Sequence, residues 1–282
     1  MTAKCTTMPR RAMPRPRQLV TATLLACVSA VAAGCFGGPD TPMIMRSPTP
    51  PMRVIEHAPL GPERARGLVV FLPAFAAGLR PFEQHEFVEQ AQRHRYDVVL
   101  ADAHFGFYRY LSLVPRLAED VIVPAEVAGY DRIWLVGASL GGIGSLVYAQ
   151  ARPEDIDGVL LVGPFLGPPR VSEEIREAGG LDAWDPGPMP VDDDILSLTR
   201  RAWAFLKKQP SDDLPPVYLL YGEADPNVSS QELLAEHLPD DRVIHGPGGH
   251  KWHIWAPMFA RLTDRALGDP PTERVAHGAA AR

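Results

Sequence analysis

Cysteine is scarce in this chain of 282 residues, and all of it sits at one end. The three are Cys5, Cys27 and Cys35, and none follows Cys35. The long remainder can form no internal disulfide and must rely on its own core. A membrane-length apolar run is also missing. The apolar stretch Leu19–Val31 falls short of the ~20 residues that a spanning helix needs. Positive charge is thin where a nucleic acid would require it. The net charge of −6 combines +5 from residues 1–34 with −11 from all that follows. An acidic body without a basic patch excludes nucleic acid as a partner. Phosphate cradles are absent too. Gly137, Gly141, Gly142 and Gly144 lack a following Gly-Lys-Ser/Thr and the spacing of G-x-G-x-x-G. The nine histidines form no H-E-x-x-H or other paired-ligand spacing, so neither a metal nor a cofactor is expected.

What is present begins with a targeting segment. Residues 1–34 run from a basic flank (Lys4, Arg10, Arg11, Arg15, Arg17) through the apolar Leu19–Val31 to small residues. That order is the order of a secretory signal. Its end, Ala33-Gly34-Cys35, resembles the lipobox of bacterial lipoproteins, with Ala32 where Leu is usual. The resemblance implies that Cys35 is lipidated, becomes the new N-terminus and anchors the protein in a bacterial cell envelope. Phe36 gives no Asp retention signal, which favours the outer membrane. Residues 35–52, Pro- and Gly-rich without a period, read as a linker between anchor and body.

From residue 53 to 268 short apolar runs alternate with helical patterns. The runs at 53–58, 67–74, 96–102, 132–136, 158–165, 216–225 and 241–246 read as strands. Helices are expected at 81–95, at 110–128 with breaks near Pro115 and Pro124, at 143–150, at 230–238 and at 254–267. Strands apolar on both faces between helices indicate an α/β domain with a mostly parallel central sheet flanked by helices. Residues 166–215 hold no clear strand and read as a small helical cap insertion over the sheet's C-terminal edge. Trp184, Trp203 and Phe205 in it either pack internally or line an apolar acyl pocket. Residues 269–282 read as a flexible tail.

The chemistry centres on Gly137-Ala138-Ser139-Leu140-Gly141, a G-x-S-x-G turn between a strand and a helix. Ser139 could simply cap that helix. As a nucleophile it needs a histidine to take its proton and a carboxylate to orient that histidine. Asp225 lies past the strand in "YGEADPNV", and His250 lies in the glycine-rich "GGHKWHIW". Glu223 is the other candidate acid; His245 and His253 are the other candidate bases. His104, after the strand at 96–102, either contacts substrate or caps a helix.

With "GASLGG", "YGEADPNV" and "GGHKWHIW" in this order, residues 53–268 resemble the α/β-hydrolases related to bacterial esterases and lipases. Gly222, Asp225 and Val228 match the family's Gly-x-x-Asp-x-x-Val, and Gly249, His250 and Trp252 match its Gly-His followed by an aromatic. The resemblance implies a serine hydrolase with Ser139 as nucleophile, Asp225 as acid and His250 as base. The substrate class it implies is a small-molecule or lipid-like carboxylic ester, cleaved through an acyl-enzyme. The oxyanion donors would be the backbone N–H groups of Leu140 and, by position, Phe75. Pro73-Ala74 stands where relatives often have His-Gly. A thioesterase, amidase or peptidase would use the same triad. An idle hydrolase fold serving as an envelope binding protein is the reading from another class.

Overall fold

The computed structural model describes residues 48, 50–58, 65–189 and 194–268. The signal segment 1–34, Cys35, most of the linker and the tail 269–282 lie outside the described residues.

Seven strands form one sheet: β1 (Val54–His57), β2 (Gly67–Leu72), β3 (Tyr96–Ala101), β4 (Ile133–Ala138), β5 (Gly158–Val162), β6 (Val217–Gly222) and β7 (Val243–Gly246). Their order is β1-β3-β2-β4-β5-β6-β7. β1 lies antiparallel to β3 at one edge, and every other pairing is parallel. Every residue of β2, β4 and β5 is buried. Such strands are stable only with both faces covered. Alternation then sorts the side chains. Leu68, Val70, Leu135, Leu161 and Leu219 enter one core layer, whereas Val69, Phe71, Val136, Leu160 and Leu220 enter the other, as a period of two dictates.

The second layer is closed by α1 (Arg80–Gln84), α2 (Phe87–Arg93) and α10 (Trp252–Leu267). The first is closed by α3 (Phe105–Arg109), α4 (Leu113–Leu117), α5 (Val123–Val127), α6 (Leu140–Ala151), α7 (Pro169–Glu177), α8 (Ile195–Leu206) and α9 (Val228–Ala235). Two helical expectations change in detail. The single helix expected at 81–95 is two, because Glu86 takes a left-handed φ of 63° between α1 and α2. The breaks expected near Pro115 and Pro124 do not occur. Pro115 sits in the first turn of α4, where a missing N–H costs little. A π turn at Ala118–Ile122 carries the chain past the second ring into α5.

The inserted segment between β5 and β6 contributes α7 and α8, and α8 packs along α6. Its aromatic residues face inward. Trp184 and Trp203 are each 1% exposed and Phe205 4%, all within the first core layer. Of the two readings open for them, internal packing holds. Trp203 Nε1 donates to the Leu166 carbonyl at 3.1 Å, and Trp184 Nε1 donates to Glu174 at 2.9 Å. Arg200 Nη1 donates to the same carboxylate at 3.0 Å, and these hydrogen bonds hold Glu174 below the usual carboxylate range. Gly167 closes the turn at φ 91°; a Cβ there would lie 2.2 Å from Thr199. Trp203→Ala should therefore lower stability by about 3–5 kcal/mol, as truncation of a buried indole does. Urea unfolding followed by circular dichroism measures it, and a loss below 1 kcal/mol would contradict this packing.

Candidate active site

Parallel strands point their C-terminal ends to one edge, and register decides which loops meet there. Ala138 pairs with Val162, Val162 with Leu220, and Gly222 with Gly246. The loops after β4, β5, β6 and β7 thus leave the sheet side by side. Backbone bonds tie them together. Ser139 N–H donates to the Val162 carbonyl at 2.9 Å, Gly163 N–H to Leu220 at 2.8 Å, and Ala224 N–H to Gly248 at 2.8 Å.

Ser139 occupies φ 49°, ψ −110° and makes no side-chain capping bond to α6. The capping alternative for this residue is thereby removed. A non-glycine residue at positive φ stores about 1–3 kcal/mol of strain, and the surroundings must hold it. They do so by close approach. A Cβ at Gly137 would lie 2.3 Å from the Gly141 carbonyl, and one at Gly141 would lie 2.1 Å from the Leu72 carbonyl. A Cβ at Gly142 would lie 2.7 Å from Pro164. The strand, the turn and the first turn of α6 therefore touch main chain to main chain. Leu140 opens α6, so its N–H has no acceptor within the helix.

Asp225 and His250 come together from two different loops. His250 Nδ1 lies 2.7 Å from Asp225 Oδ2, with side-chain exposures of 2% and 0%. A carboxylate only accepts, so Nδ1 carries the proton and Nε2 is left as the basic nitrogen. The other Asp225 oxygen accepts from Asn227 N–H at 2.8 Å. The two loops fit because Gly222 has no side chain; a Cβ there would lie 2.3 Å from the Gly248 carbonyl. Trp255, fully buried, stands edge-to-face with His250 at 4.5 Å and 85°. Its ring also fills the space beside Gly163, where a Cβ would lie 2.4 Å from it.

The competing candidates find other work. Glu223 pairs with His245 Nδ1 at 2.9 Å, and both side chains are about half exposed. His245 lies in β7, and His253 lies exposed in the first turn of α10. His104 caps α3, its Nδ1 accepting from Gly106 N–H at 3.1 Å. Phe75 sits in the turn after β2, edge-to-face with Phe105 at 5.4 Å. Trp255 ends the GGHKWHIW segment, and the motif gives it no role. Nothing in a single sequence separates it from the other apolar positions of α10.

Solved structures match this fold over most of the chain. Est1E of Butyrivibrio proteoclasticus superposes with a TM-score of 0.54 at 16% identity, covering 79% of this chain and 95% of its own. A fluorophosphonate-binding serine hydrolase of Staphylococcus aureus gives 0.52 at 12%, covering 78% and 96%. A monoacylglycerol lipase of Paleococcus ferrophilus gives 0.50 at 19%, covering 77% and 98%. The chain has the α/β-hydrolase fold. No protein-family model matches it. A 66-residue segment is 41% identical to proline iminopeptidases of Neisseria gonorrhoeae and Neisseria meningitidis. That segment is 23% of this chain and spans 21% of those relatives' length.

In an α/β-hydrolase fold built this tightly, Gly141→Ala forces a methyl group against the Leu72 carbonyl. The expected cost is about 3 kcal/mol, the upper end of overpacking in a close-packed interior. Thermal unfolding of the variant measures it, and a wild-type melting temperature would show that the turn has room to spare.

Proposed function

We propose that the protein is a serine hydrolase that cleaves a carboxylic ester through a Ser139, His250 and Asp225 triad. The observation that carries this reading is the buried Asp225–His250 pair at the same sheet edge as the strained, non-capping Ser139. Ser139 Oγ attacks the ester carbonyl while His250 Nε2 takes its proton. Asp225 holds the ring's orientation and stabilises the imidazolium that forms. The developing oxyanion is received by the Leu140 N–H at the start of α6 and by the Phe75 N–H in the turn after β2. The imidazolium then protonates the departing alcohol. A water, deprotonated in turn by His250, releases the acid from Ser139. An alkoxide leaves more easily than an amide anion, so an ester asks less of this general acid than an amide does.

The partial similarity to proline iminopeptidases supports a second reading, an amide or peptide substrate. Paired assays on p-nitrophenyl acyl esters and on prolyl p-nitroanilide separate the two. A higher kcat/KM on the esters is expected, and the reverse ratio assigns a peptidase. Ser139→Ala and His250→Ala should each lower turnover roughly 10⁴- to 10⁶-fold, because triad members act as a unit. Asp225→Asn should cost about 10⁴-fold, and Glu223→Gln should cost little. A fluorophosphonate probe should label the wild-type protein and leave Ser139→Ala unlabelled. An unlabelled wild type, inactive on both substrate types, would favour the binding-protein reading instead.

We further propose attachment to a bacterial envelope through a lipidated Cys35. Among the described residues no helix is long and apolar enough to cross a membrane. Acyl chains contribute about 0.8 kcal/mol per buried methylene, whereas a body carrying −11 is repelled by anionic lipid. Detergent should therefore release the protein from membranes and high salt should not. Labelled palmitate should be incorporated by the wild type and not by Cys35→Ser. An unlabelled, freely soluble wild type would reduce the segment to an ordinary secretory signal.

A further inference from the structure

Gln231 lies on α9, a turn and a half beyond Asp225, and is fully buried. Its Nε2 donates to the Pro164 carbonyl at 3.1 Å. A carbonyl only accepts, so this partner fixes which end of the amide faces it. Oε1 is left buried without a partner, and a stranded acceptor costs stability. A methionine of similar length would leave the Pro164 oxygen without this donor instead. One stranded oxygen would replace another, so the amide gives the fold little net stability.

What the bond does give is a link to the nucleophile turn. The Pro164 carbonyl and the Phe165 N–H belong to one peptide group, which is planar and stiff. The Phe165 N–H donates to the Ser139 carbonyl at 2.9 Å. Two hydrogen bonds and one rigid plane therefore join the Gln231 amide to the backbone of Ser139. Bonds in such a chain polarise and strengthen one another. The other end of the link is tied to the acid. The Val228 N–H donates to the Asp225 carbonyl at 2.9 Å, and the Gln231 N–H donates to the Asn227 carbonyl at 3.2 Å. Asn227 N–H in turn holds Asp225 Oδ1 at 2.8 Å. Gln231 thus spans from the arm that carries Asp225 to the turn that carries Ser139.

We propose that Gln231 is a positioning residue that sets the Asp225 and His250 pair against Ser139. It acts through the Pro164–Phe165 peptide rather than on the reacting atoms, and the inference rests on the reading of Ser139 as nucleophile. The fold supplies its own control. Gln209 is 2% exposed, its Nε2 donates to the Pro215 carbonyl at 3.1 Å, and its Oε1 also has no partner. Pro215 precedes β6, whereas Asp225 follows that strand's C-terminal end. The same bond is made there at the edge of the sheet opposite to Ser139.

The test compares Gln231→Met with Gln209→Met in the full chain. Turnover is read on the p-nitrophenyl ester or the prolyl p-nitroanilide, whichever the wild type cleaves faster, and labelling is read with a fluorophosphonate probe. Gln231→Met should lower kcat roughly tenfold or more and leave KM within about twofold, because a misplaced nucleophile loses transition-state geometry and not ground-state binding. Labelling should slow by a similar factor. The melting temperature should stay within about 4 °C of the wild type. Gln231→Leu takes the place of Gln231→Met if that variant fails to fold. Gln209→Met should change neither kcat nor labelling. Full activity in Gln231→Met, a loss confined to KM, or an equal loss in Gln209→Met overturns the proposal while the triad stands. A wild type that the probe does not label overturns the nucleophile reading and this inference with it.

Discussion

The constraint on which the rest depends is the contact of bare main chain where β4 crosses into α6. Ser139 holds a positive φ only because Gly137 and Gly141 bring carbonyls to within a distance that any side chain would block. The strain is local, but what balances it is not. The Ser139 N–H is bound to Val162 on β5, and the Ser139 carbonyl accepts from Gly142 and Phe165. A turn fixed at both of its backbone ends cannot relax without disturbing two parallel strand pairs. The hydroxyl is thereby presented by the sheet itself rather than by a loop free to move.

Burial then separates two acid–histidine pairs that look equivalent in the chain. Asp225 with His250 and Glu223 with His245 have nearly equal spacing and similar hydrogen-bond lengths. One pair is sealed from solvent and the other is about half exposed. In a low-dielectric surrounding the charge interaction is strong and unscreened, whereas at the surface it is weakened by water and salt. The exposed pair can be lost with little consequence. The sealed pair cannot lose one partner without stranding the other, and Trp255 packs at right angles against the imidazole. The proposed role is given to the pair that the fold encloses.

α6 serves two regions at once. Its first turn supplies the N–H next to Ser139, and its later turns form a wall of a flanking cavity of about 230 Å³ that α8 and the α3–α4 segment also line. Its glycines have distinct duties along the same axis: Gly141 against β2, Gly142 against Pro164, and Gly144 against Tyr108. The inserted segment between β5 and β6 closes the far wall of that cavity while burying its own tryptophans. It therefore stabilises the side of the sheet on which α6 lies.

Much of this was legible in the chain. Apolar runs on both strand faces dictated a sheet covered on two sides, and G-x-S-x-G between a strand and a helix marked Ser139, because hydrophobic periodicity and glycine sterics act over a few neighbouring residues. Asp225 and His250 were placed by motif, yet Glu223, His245 and His253 could not be set aside, since whether a side chain is sealed or exposed depends on elements far away in sequence. The left-handed break at Glu86, the continuous passage past Pro115 and Pro124, and the inward turn of Trp184 and Trp203 were likewise settled by tertiary packing. The flanking cavity belongs wholly to that level. Phe107, Ile143 and Arg201 have no local pattern in common, and only the packing of α8 and the α3–α4 segment against α6 brings them to one space.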